Sequence, residues 1–323
     1  MRSRSILLTG GSGFLGAALM HHLAQSPAFE LVVALRRREI ALPVSVRAFA
    51  IDGLDGTTQW AQALNRIDVV IHAAARVHVM EETVADPLAN FRRVNVEGTL
   101  NLARQAAASG VRRFIFISSI KVNGEATSPG KVFTADDVAA PLDPYGVSKM
   151  EAEEGLRTLA AETGMEVVII RPVLVYGPGV KANFLSMMRW LDRGVPLPLG
   201  AVNNRRSFVS LGNLIDLIQT CIDHPRAANE TFLVSDGEDV STTELLRRLS
   251  AAMGRPARLL PVPYRLMRMA AALLGKSAAI QRLFGSLQVD ISKNMALLQW
   301  KPSVSMNEAL RLTARDFQES RKR

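Results

Sequence analysis

A phenol and an ammonium group stand four residues apart near the middle of the chain, as Tyr145 and Lys149. Residues four apart in a helix share one face, so both side chains can point into one cleft. A tyrosine in water has a pKa of about 10, and a nearby positive charge lowers that pKa. The pair therefore predicts a general acid or base for an alcohol–ketone interconversion, although the same spacing also arises on ordinary surface helices.

A glycine-rich turn at the start of the chain predicts a dinucleotide site. It follows a short apolar run and precedes a helical stretch. Gly11, Gly13 and Gly16 fit one fingerprint of dinucleotide-binding turns, whereas Gly10, Gly13 and Gly16 fit a related spacing. Glycines let backbone N–H groups and a helix N-terminus approach a pyrophosphate closely, while a merely tight structural turn is the alternative. The residues predicted to bind the cofactor here are Gly10, Gly13, Phe14, Leu15 and Gly16.

The end of the second predicted strand indicates which dinucleotide binds. An acidic residue at this point recognises the ribose hydroxyl of NAD, whereas an arginine accommodates the extra phosphate of NADP. The chain has Arg36 and Arg37 there, and no carboxylate precedes Glu39. A guanidinium binds phosphate through paired donors. We therefore predict NADP(H), held by Arg36 and Arg37, with NAD(H) as the alternative cofactor and a solvated basic turn as the alternative structure.

Short apolar runs alternate with helical stretches through the first half of the chain. This order predicts an α/β fold with a Rossmann-type doubly wound parallel sheet. Loops rich in Gly and Pro after Pro172 predict a smaller α/β lobe over the carboxyl edge of that sheet. We assign residues 1–172 to a cofactor-binding domain and 173–323 mainly to a substrate lobe, with some segments returning to the first domain. The predicted strands are 5–9, 31–35, 46–51, 68–72, 113–118 and 166–171.

Composition narrows the classes of partner. The 323 residues carry a net charge of +9, which favours anionic partners, but only 6% are aromatic, which argues against a nucleic-acid stacking surface. Cys221 is the single cysteine, so an intrachain disulfide is excluded. The apolar stretches fall short of the roughly 18 residues of a membrane span, and residues 266–287 leave only a peripheral membrane contact open. We expect a cytoplasmic protein without a metal site.

Further motifs lie at the ends of the predicted strands. They are Asp52-Gly53-Leu54 after the third strand, His72-Ala73-Ala74-Ala75 after the fourth, Asn95 to Thr99, Ser118 to Gly124 after the fifth, and Arg171-Pro172 to Gly179 after the sixth. With these motifs the chain resembles, over nearly its whole length, the extended short-chain dehydrogenase/reductases. Within them it is similar to the nucleotide-sugar branch of UDP-galactose 4-epimerases, sugar-nucleotide dehydratases and 4-keto-reductases.

The resemblance implies roles for individual residues. Tyr145 would exchange a proton with the substrate oxygen, and Ser119 would hydrogen-bond that oxygen. Lys149 would bind the nicotinamide ribose and hold down the pKa of Tyr145, while hydride passes between the substrate carbon and the nicotinamide. The other cofactor contacts that the resemblance implies are Asp52, Gly53, Leu54, His72, Ala73, Ala74, Asn95 and Pro172.

The resemblance also implies a UDP-sugar as the partner. Asn183 would lie at the diphosphate, Leu197 and Leu199 in the loop that holds the uracil, and Arg206 would bind phosphate, with Arg282 as a weaker second candidate. Ser119 and Lys121 would contact the sugar. A surface ion pair is the alternative for either arginine. We expect a homodimer by analogy, paired through helices over 87–108 and 145–162.

Departures from the family pattern bear on the reaction. Dehydratases carry an Asp-Glu pair where this chain has Ile120 and Lys121, and many 4-epimerases carry Asn where it has Leu174. These differences favour NADPH-dependent reduction at C4 of a UDP-4-keto-6-deoxy-(N-acetyl)hexose, which would supply a surface-polysaccharide precursor. A UDP-sugar 4-epimerase with bound NAD is the alternative. Another alcohol or sterol dehydrogenase, or a non-catalytic cofactor-sensing protein, is less consistent with Arg206 and the three catalytic residues.

Overall fold

A parallel sheet of seven strands forms the larger part of the molecule. The computed structural model describes residues 3–36, 41–77, 86–273 and 283–321. The strands are β1 Arg4–Thr9, β2 Phe29–Leu35, β3 Val46–Ala50, β4 Val69–His72, β5 Arg113–Ile117, β6 Glu166–Pro172 and β9 Thr231–Val234. Their order is β3-β2-β1-β4-β5-β6-β9. The strand order therefore switches between β1 and β4, where parallel sheets open the crevice that binds ligands.

The doubly wound parallel sheet and its six predicted strands are confirmed, each strand to within two residues at either end. Both faces of the sheet are buried, so neighbouring residues of one strand enter different cores. Ile6 and Leu8 of β1 lie in one core, and Leu7 lies in the other. The seventh strand, β9, comes from the C-terminal half of the chain and pairs with β6.

Helices cover the two faces of the sheet. One face packs against α1 (Phe14–Leu23) and α6 (Leu211–Asp223), and the other packs against α3 (Gly98–Ala108) and α4 (Pro144–Thr163). A short helix α2 (Pro87–Phe91) runs through a π-helical turn, Arg92–Glu97, into α3. Such turns widen a helix locally and are frequent at functional sites. This one contains the buried Asn95.

Local sequence fixes both ends of α4. The Asp143 side chain accepts a hydrogen bond from the Gly146 N–H at 2.6 Å, and Pro144 occupies the first turn, where its missing N–H costs nothing. Gly164 ends the helix with φ +74, a left-handed conformation that glycine adopts without strain. The helix therefore starts one residue before Tyr145, which places that phenol at the carboxyl edge of the sheet.

The C-terminal lobe has its own small sheet and its own apolar core. The sheet, ordered β10-β8-β7, consists of β7 Leu174–Tyr176, β8 Arg206–Ser210 and β10 Asp239–Val240. The helices of this half are α5 Ala182–Asp192, α7 Thr242–Ala252, α8 Tyr264–Leu273, α9 Ser292–Leu298 and α10 Met306–Ser320. Across the described ranges, none of the helices combines the length and apolar character needed to cross a bilayer. Cys221 is buried in α6, and its burial raises the pKa of the thiol to about 12.

Candidate active site

Ser119, Tyr145 and Lys149 converge beyond the carboxyl end of β5. Ser119 follows β5 and caps a short 3₁₀ turn, where its Oγ accepts a hydrogen bond from the Lys121 N–H at 3.2 Å. Its hydroxyl also hydrogen-bonds the phenol of Tyr145. Lys149 is one turn further along α4, only 1% exposed, with its Nζ 4.0 Å from the ring centre of Phe116. The three residue types that the sequence singles out therefore share one site.

The protonation of this site differs from the expectation that Lys149 lowers the pKa of Tyr145. Burial, reinforced by the negative charge of Asp143 and opposed by the Ser119 hydrogen bond, raises the pKa of Tyr145 to about 12. Burial also lowers the pKa of Lys149 to about 7, against the charge of Glu153. Loss of water around each group is the largest cause of both pKa shifts. Tyr145 therefore carries its proton at neutral pH.

The glycine turn has the close contacts that a pyrophosphate cradle requires. A Cβ on Gly10, which has φ +78, would lie 2.7 Å from backbone atoms of Ala73 and Ala74. A Cβ on Gly16 would lie 2.1 Å from the carbonyl oxygen of Gly10. Gly13 is the N-cap of α1 and makes no side-chain capping hydrogen bond, which leaves the first N–H groups of the helix for an anion. The donor set fits a dinucleotide pyrophosphate. Packing restricts Gly11 as well, since a Cβ there would lie 2.4 Å from Val33 Cγ1.

His72 is a buried residue with hydrogen bonds at both ring nitrogens. Its ring nitrogens pair with the hydroxyls of Thr9 at 2.8 Å and Thr99 at 3.0 Å, and the side chain is 0% exposed. Burial, helped by the charge of Lys149, lowers the pKa of His72 to about 3. The whole residue is buried, so His72 presents no surface to a cofactor in this structure, whereas Ala73 and Ala74 border the glycine turn directly.

The buried imidazole is expected to make acid unfolding steeper. Between pH 6.5 and about 3 the unfolded chain protonates His72 and the folded chain does not. Stability should therefore fall as pH falls through this window, by about 1.4 kcal/mol per pH unit for this group. Urea titrations at several pH values should show a flatter dependence for His72→Gln. His21→Gln, at an exposed position on α1, is the control, and equal slopes for wild type and His72→Gln would contradict the assignment.

Asn95 connects two segments next to the site through side-chain hydrogen bonds. It is 1% exposed, its Oδ1 accepts a hydrogen bond from the Arg76 N–H at 2.8 Å, and its Nδ2 donates to the Arg76 carbonyl and to Ser148 Oγ at 3.0 Å. Ser148 Oγ in turn donates to the Tyr145 carbonyl at 2.8 Å. The Asn95 side chain therefore holds the chain after β4 against α4, between Tyr145 and Lys149.

The other predicted cofactor residues border the crevice. Arg36 is exposed immediately after β2, and Asp52 is exposed beyond β3, with Gly53 and Leu54 partly buried next to it. Backbone atoms of Leu54 lie 3.0 Å from where a Cβ on Gly98 would be, so this loop packs on the start of α3. Pro172 is buried at the end of β6. Arg37 lies outside the described residues.

The predicted substrate residues fall into three groups. Lys121 is near the catalytic residues, where its ammonium pairs with Asp143 and, at 3.4 Å, with Glu125. Asn183 is exposed in the first turn of α5. Leu197, Leu199 and Arg206 belong to the C-terminal lobe, and Arg282 lies outside the described residues.

Leu197 and Leu199 contribute packing rather than an open apolar surface. Their side chains are buried in the core of the C-terminal lobe. The main chain of Leu197 pairs with the carbonyl of Arg258 at 2.9 Å and the N–H of Leu260 at 2.8 Å. Arg206 is partly buried, donates from Nη1 to the Gly285 carbonyl at 3.0 Å, and has its pKa lowered by burial.

A buried polar cluster next to Lys149, which the sequence motifs do not predict, is formed by Ser118, Asn123, Glu153 and Arg171. A signal was present, because Glu153 continues the four-residue spacing of Tyr145 and Lys149 along α4. Among the described residues, no group of three or more His, Cys, Asp or Glu side chains is placed to hold a metal ion.

Comparison with known proteins places this arrangement in a family. Residues 6–235 match the family described as the NAD dependent epimerase/dehydratase family. A UDP-glucose 4-epimerase from Vibrio cholerae is 49% identical over 321 residues, which cover 99% of this chain and 97% of that protein. A GDP-6-deoxy-D-mannose reductase from Pseudomonas aeruginosa is 26% identical over 325 residues, covering 98% of each.

A solved structure agrees with the fold. The UDP-glucuronic acid 4-epimerase from Bacillus cereus in complex with NAD superposes with a TM-score of 0.77 over 98% of this chain and 99% of that one, at 21% identity. The sequence match, the switch in strand order and the three converging side chains agree with one another. The chain is an enzyme and belongs to the NAD dependent epimerase/dehydratase family, within the nucleotide-sugar branch of the extended short-chain dehydrogenase/reductases.

Proposed function

We propose that this enzyme is a UDP-sugar 4-epimerase that uses a bound nicotinamide dinucleotide. The observation that carries the proposal is the 49% identity to the Vibrio cholerae UDP-glucose 4-epimerase over nearly the whole of both chains. The site supports it with one proton-transfer group, Tyr145, one hydroxyl to hold the substrate oxygen, Ser119, and one cation, Lys149. When bound, the nicotinamide would accept and return the hydride.

The side chains divide the work of this reaction. Ser119 would hold the C4 oxygen of the sugar within reach of Tyr145, whose phenolate form would take the C4 hydroxyl proton during oxidation and, as the phenol, return it during reduction. Lys149 would offset the negative charge that develops on the phenol. Burial raises the pKa of Tyr145 and so disfavours the phenolate. The positive charge of Lys149 therefore matters most during proton transfer, when the phenol carries negative charge.

Dehydration finds no support at this site. Ile120 has no ionisable group, and the Lys121 ammonium is neutralised by Asp143, which also caps α4. Removing water from a sugar requires a paired acid and base next to the leaving hydroxyl. The same two positions leave reactions at C4 unaffected, because those need only the tyrosine, the serine and the hydride carrier.

Net reduction at C4 of a UDP-4-keto-6-deoxy-(N-acetyl)hexose is the second candidate, and three observations favour it. Arg36 is exposed directly after β2, where an arginine can accommodate the extra phosphate of NADP, and NADPH is the usual donor for net reduction. Leu174 is 45% exposed where many 4-epimerases carry an asparagine. Tyr145 carries a proton at neutral pH, which is the form that protonates a ketone oxygen.

One experiment separates the two candidates. Purified enzyme is incubated with UDP-glucose or UDP-galactose and, separately, with a UDP-4-keto-6-deoxy sugar plus NADPH. Interconversion of the two hexoses without net change in nicotinamide absorbance supports the epimerase. Stoichiometric loss of NADPH absorbance with the keto sugar, without hexose interconversion, replaces it with the reductase.

A thermal-shift measurement tests the sugar-nucleotide class itself. UDP binds only the native state, so it should raise the melting temperature in proportion to the logarithm of its concentration over its Kd. Arg206 and the loop that contains Leu197 and Leu199, whose own side chains are buried, are expected to bind it. The absence of any shift with UDP would instead favour a dehydrogenase for an apolar alcohol or a cofactor-sensing protein.

The identity of the dinucleotide is a separate proposal. Arg36 supports NADP(H), whereas the Bacillus cereus structure contains NAD. If Arg36 binds a ribose phosphate, NADPH should bind at least about 10-fold more tightly than NADH, a difference of about 1.4 kcal/mol. Arg36→Glu should then reverse the preference, as measured by fluorescence titration. Arg47→Glu, with the same charge change on the adjacent strand, is the control. Equal affinities in the wild type would exclude this role of Arg36.

We also propose a homodimer paired through the continuous helical segment 87–108 and α4. These elements pack side by side, and Arg92 of the π-helical turn forms an ion pair at 2.5 Å with Glu151 of α4. Light scattering on the eluting peak of a sizing column gives the mass directly. A mass of one chain at micromolar concentration would exclude a stable pair.

A further inference from the structure

Glu153 has an environment that no other acidic residue of the described chain shares. Of the buried residues in the described ranges, it is the only carboxylate, with 0% exposure. Its Oε1 accepts hydrogen bonds from Ser118 Oγ at 2.5 Å and Arg171 Nε at 2.9 Å. Its Oε2 accepts from Arg171 Nη2 at 2.5 Å and Arg157 Nη2 at 3.0 Å. A buried charge is tolerated only when it is saturated in this way.

The four donors to Glu153 come from three different elements. Glu153 and Arg157 lie on α4, which also carries Tyr145 and Lys149. Ser118 immediately precedes Ser119 at the end of β5, and Arg171 immediately precedes Pro172 at the end of β6. The Glu153 carboxylate therefore connects α4, which carries Tyr145 and Lys149, with the segment at the end of β5, which carries Ser119.

Asn123 extends this hydrogen-bonded connection between elements toward the cleft. Arg171 Nη1 donates to Asn123 Oδ1 at 2.9 Å, and Asn123 Nδ2 donates to the Thr134 carbonyl at 2.8 Å. Both Asn123 and Arg171 are at most 3% exposed. The chain after Ser119 is thereby fixed against β6 by contacts that α4 alone cannot supply.

Lys149 is surrounded by few groups that can balance its charge. On its own helix Glu153 is one turn further on, and its charge favours the protonated amine. From β5, Phe116 offers its ring face, and from β4 the buried His72 is neutral because burial lowers its pKa to about 3. Asp143 acts on Tyr145 at the other end of the cleft, and Arg171 and Arg157 both bind the Glu153 carboxylate.

We propose that Glu153 is a positioning residue of the active site, which ties the ends of β5 and β6 to α4 and supplies a buried negative charge that favours the protonated form of Lys149. The catalytic use of Lys149 rests on the proposed function. The geometric tie and the charge pairing do not, because they are properties of the chain without substrate. Because Glu153 is fully buried, it would act through Lys149 and Ser119 rather than on a ligand.

The charge pairing is tested without any substrate. Protein labelled with ¹³C at the lysine Cε is titrated by NMR, and the Lys149 signal is assigned by its loss in Lys149→Met. In Glu153→Gln the pKa of Lys149 should fall by about 1 pH unit or more, because an opposite charge has been removed nearby. Glu151→Gln makes the same change on the same helix, at an exposed ion pair with Arg92, and should leave the Lys149 titration unchanged. An unchanged Lys149 titration in folded Glu153→Gln overturns the proposal.

A second variant covers the case in which Glu153→Gln does not fold. Removing one partner leaves the buried Arg171 uncompensated, whereas removing both is far better tolerated. In Glu153→Gln combined with Arg171→Met, the Lys149 titration should still move to lower pH, since the negative charge of Glu153, which favours the protonated amine, is absent in this variant as well. A Lys149 pKa at or above the wild-type value in that double variant overturns the proposal.

The geometric tie is tested by turnover once a substrate is in hand. Ser118→Ala keeps every charge but frees the segment that carries Ser119, so kcat should fall about 10-fold or more while cofactor affinity is retained. Glu153→Asp, which keeps the charge, should restore the Lys149 titration but only part of kcat. Full kcat in Ser118→Ala overturns the positioning role. Failure of every UDP-sugar as substrate leaves the NMR result standing, so the two proposals fail separately.

Discussion

Tyr145→Phe is expected to lower turnover by roughly 10²- to 10⁴-fold, because it removes the one proton-transfer group that faces the substrate oxygen. The ring should stay in place, because its edge-on contact with Phe91 does not involve the hydroxyl. Cofactor affinity should change little, since the glycine turn and Lys149 are untouched. Steady-state rates and a fluorescence titration with NADH or NADPH give the two quantities separately.

The matched control for this variant is Tyr264→Phe. Tyr264 is the first residue of α8, away from the catalytic residues. Its ring packs against that of Phe284, with the ring centres 4.8 Å apart. It loses the same hydroxyl and should keep full activity. Near-normal turnover in Tyr145→Phe would remove Tyr145 from the mechanism, and an equal loss in both variants would indicate a general effect on folding.

Gly16→Ala is expected to abolish dinucleotide binding and to destabilise the fold. The added methyl group would lie 2.1 Å from the Gly10 carbonyl oxygen and 2.6 Å from its carbonyl carbon. Backbone atoms cannot move aside as a flexible side chain can, so the turn or α1 must shift at a cost of about 1–3 kcal/mol. The shift moves the N-terminal N–H groups away from the pyrophosphate. Calorimetric titration with the dinucleotide and a urea melt measure both effects.

Gly212→Ala provides the contrast. Gly212 also lies in the first turn of a helix, α6, but a Cβ there would meet only Val304 Cγ2 at an ordinary 3.7 Å. Alanine forms helix better than glycine, so stability should rise by about 0.5–1 kcal/mol with no loss of binding. If Gly16→Ala binds the dinucleotide as tightly as Gly212→Ala does, the glycine turn is not the pyrophosphate cradle.

The sheet could be predicted because its signals are local. Strands buried on both faces need consecutive apolar residues, and such runs stand out at β4 and β5. The strand β9 has no comparable signal in the sequence. It is only four residues long, and so short an apolar run after a loop occurs in many structural contexts. Its place beside β6 depends on where the C-terminal half folds back, which is a long-range event.

Sequence spacing predicts only those site residues that lie at a fixed separation on one element. Tyr145 and Lys149 are one helical turn apart, so their shared face follows from the sequence. Asp143 was not singled out, although it caps α4, pairs with Lys121 and raises the pKa of Tyr145. Residues 121 and 143 meet only because the segment after β5 folds back over the start of α4.

The sequence by itself determined the kinds of group at this site, the glycine turn that precedes them and the parallel sheet that carries both, since each follows from the spacing of a few neighbouring residues. The tertiary structure decided their protonation. Burial leaves Tyr145 with a pKa of about 12 and Lys149 with a pKa of about 7, and it makes His72 a neutral interior residue. Burial depends on which distant elements exclude water from a side chain, and that is settled only when β4, β5, β6 and α4 have packed together.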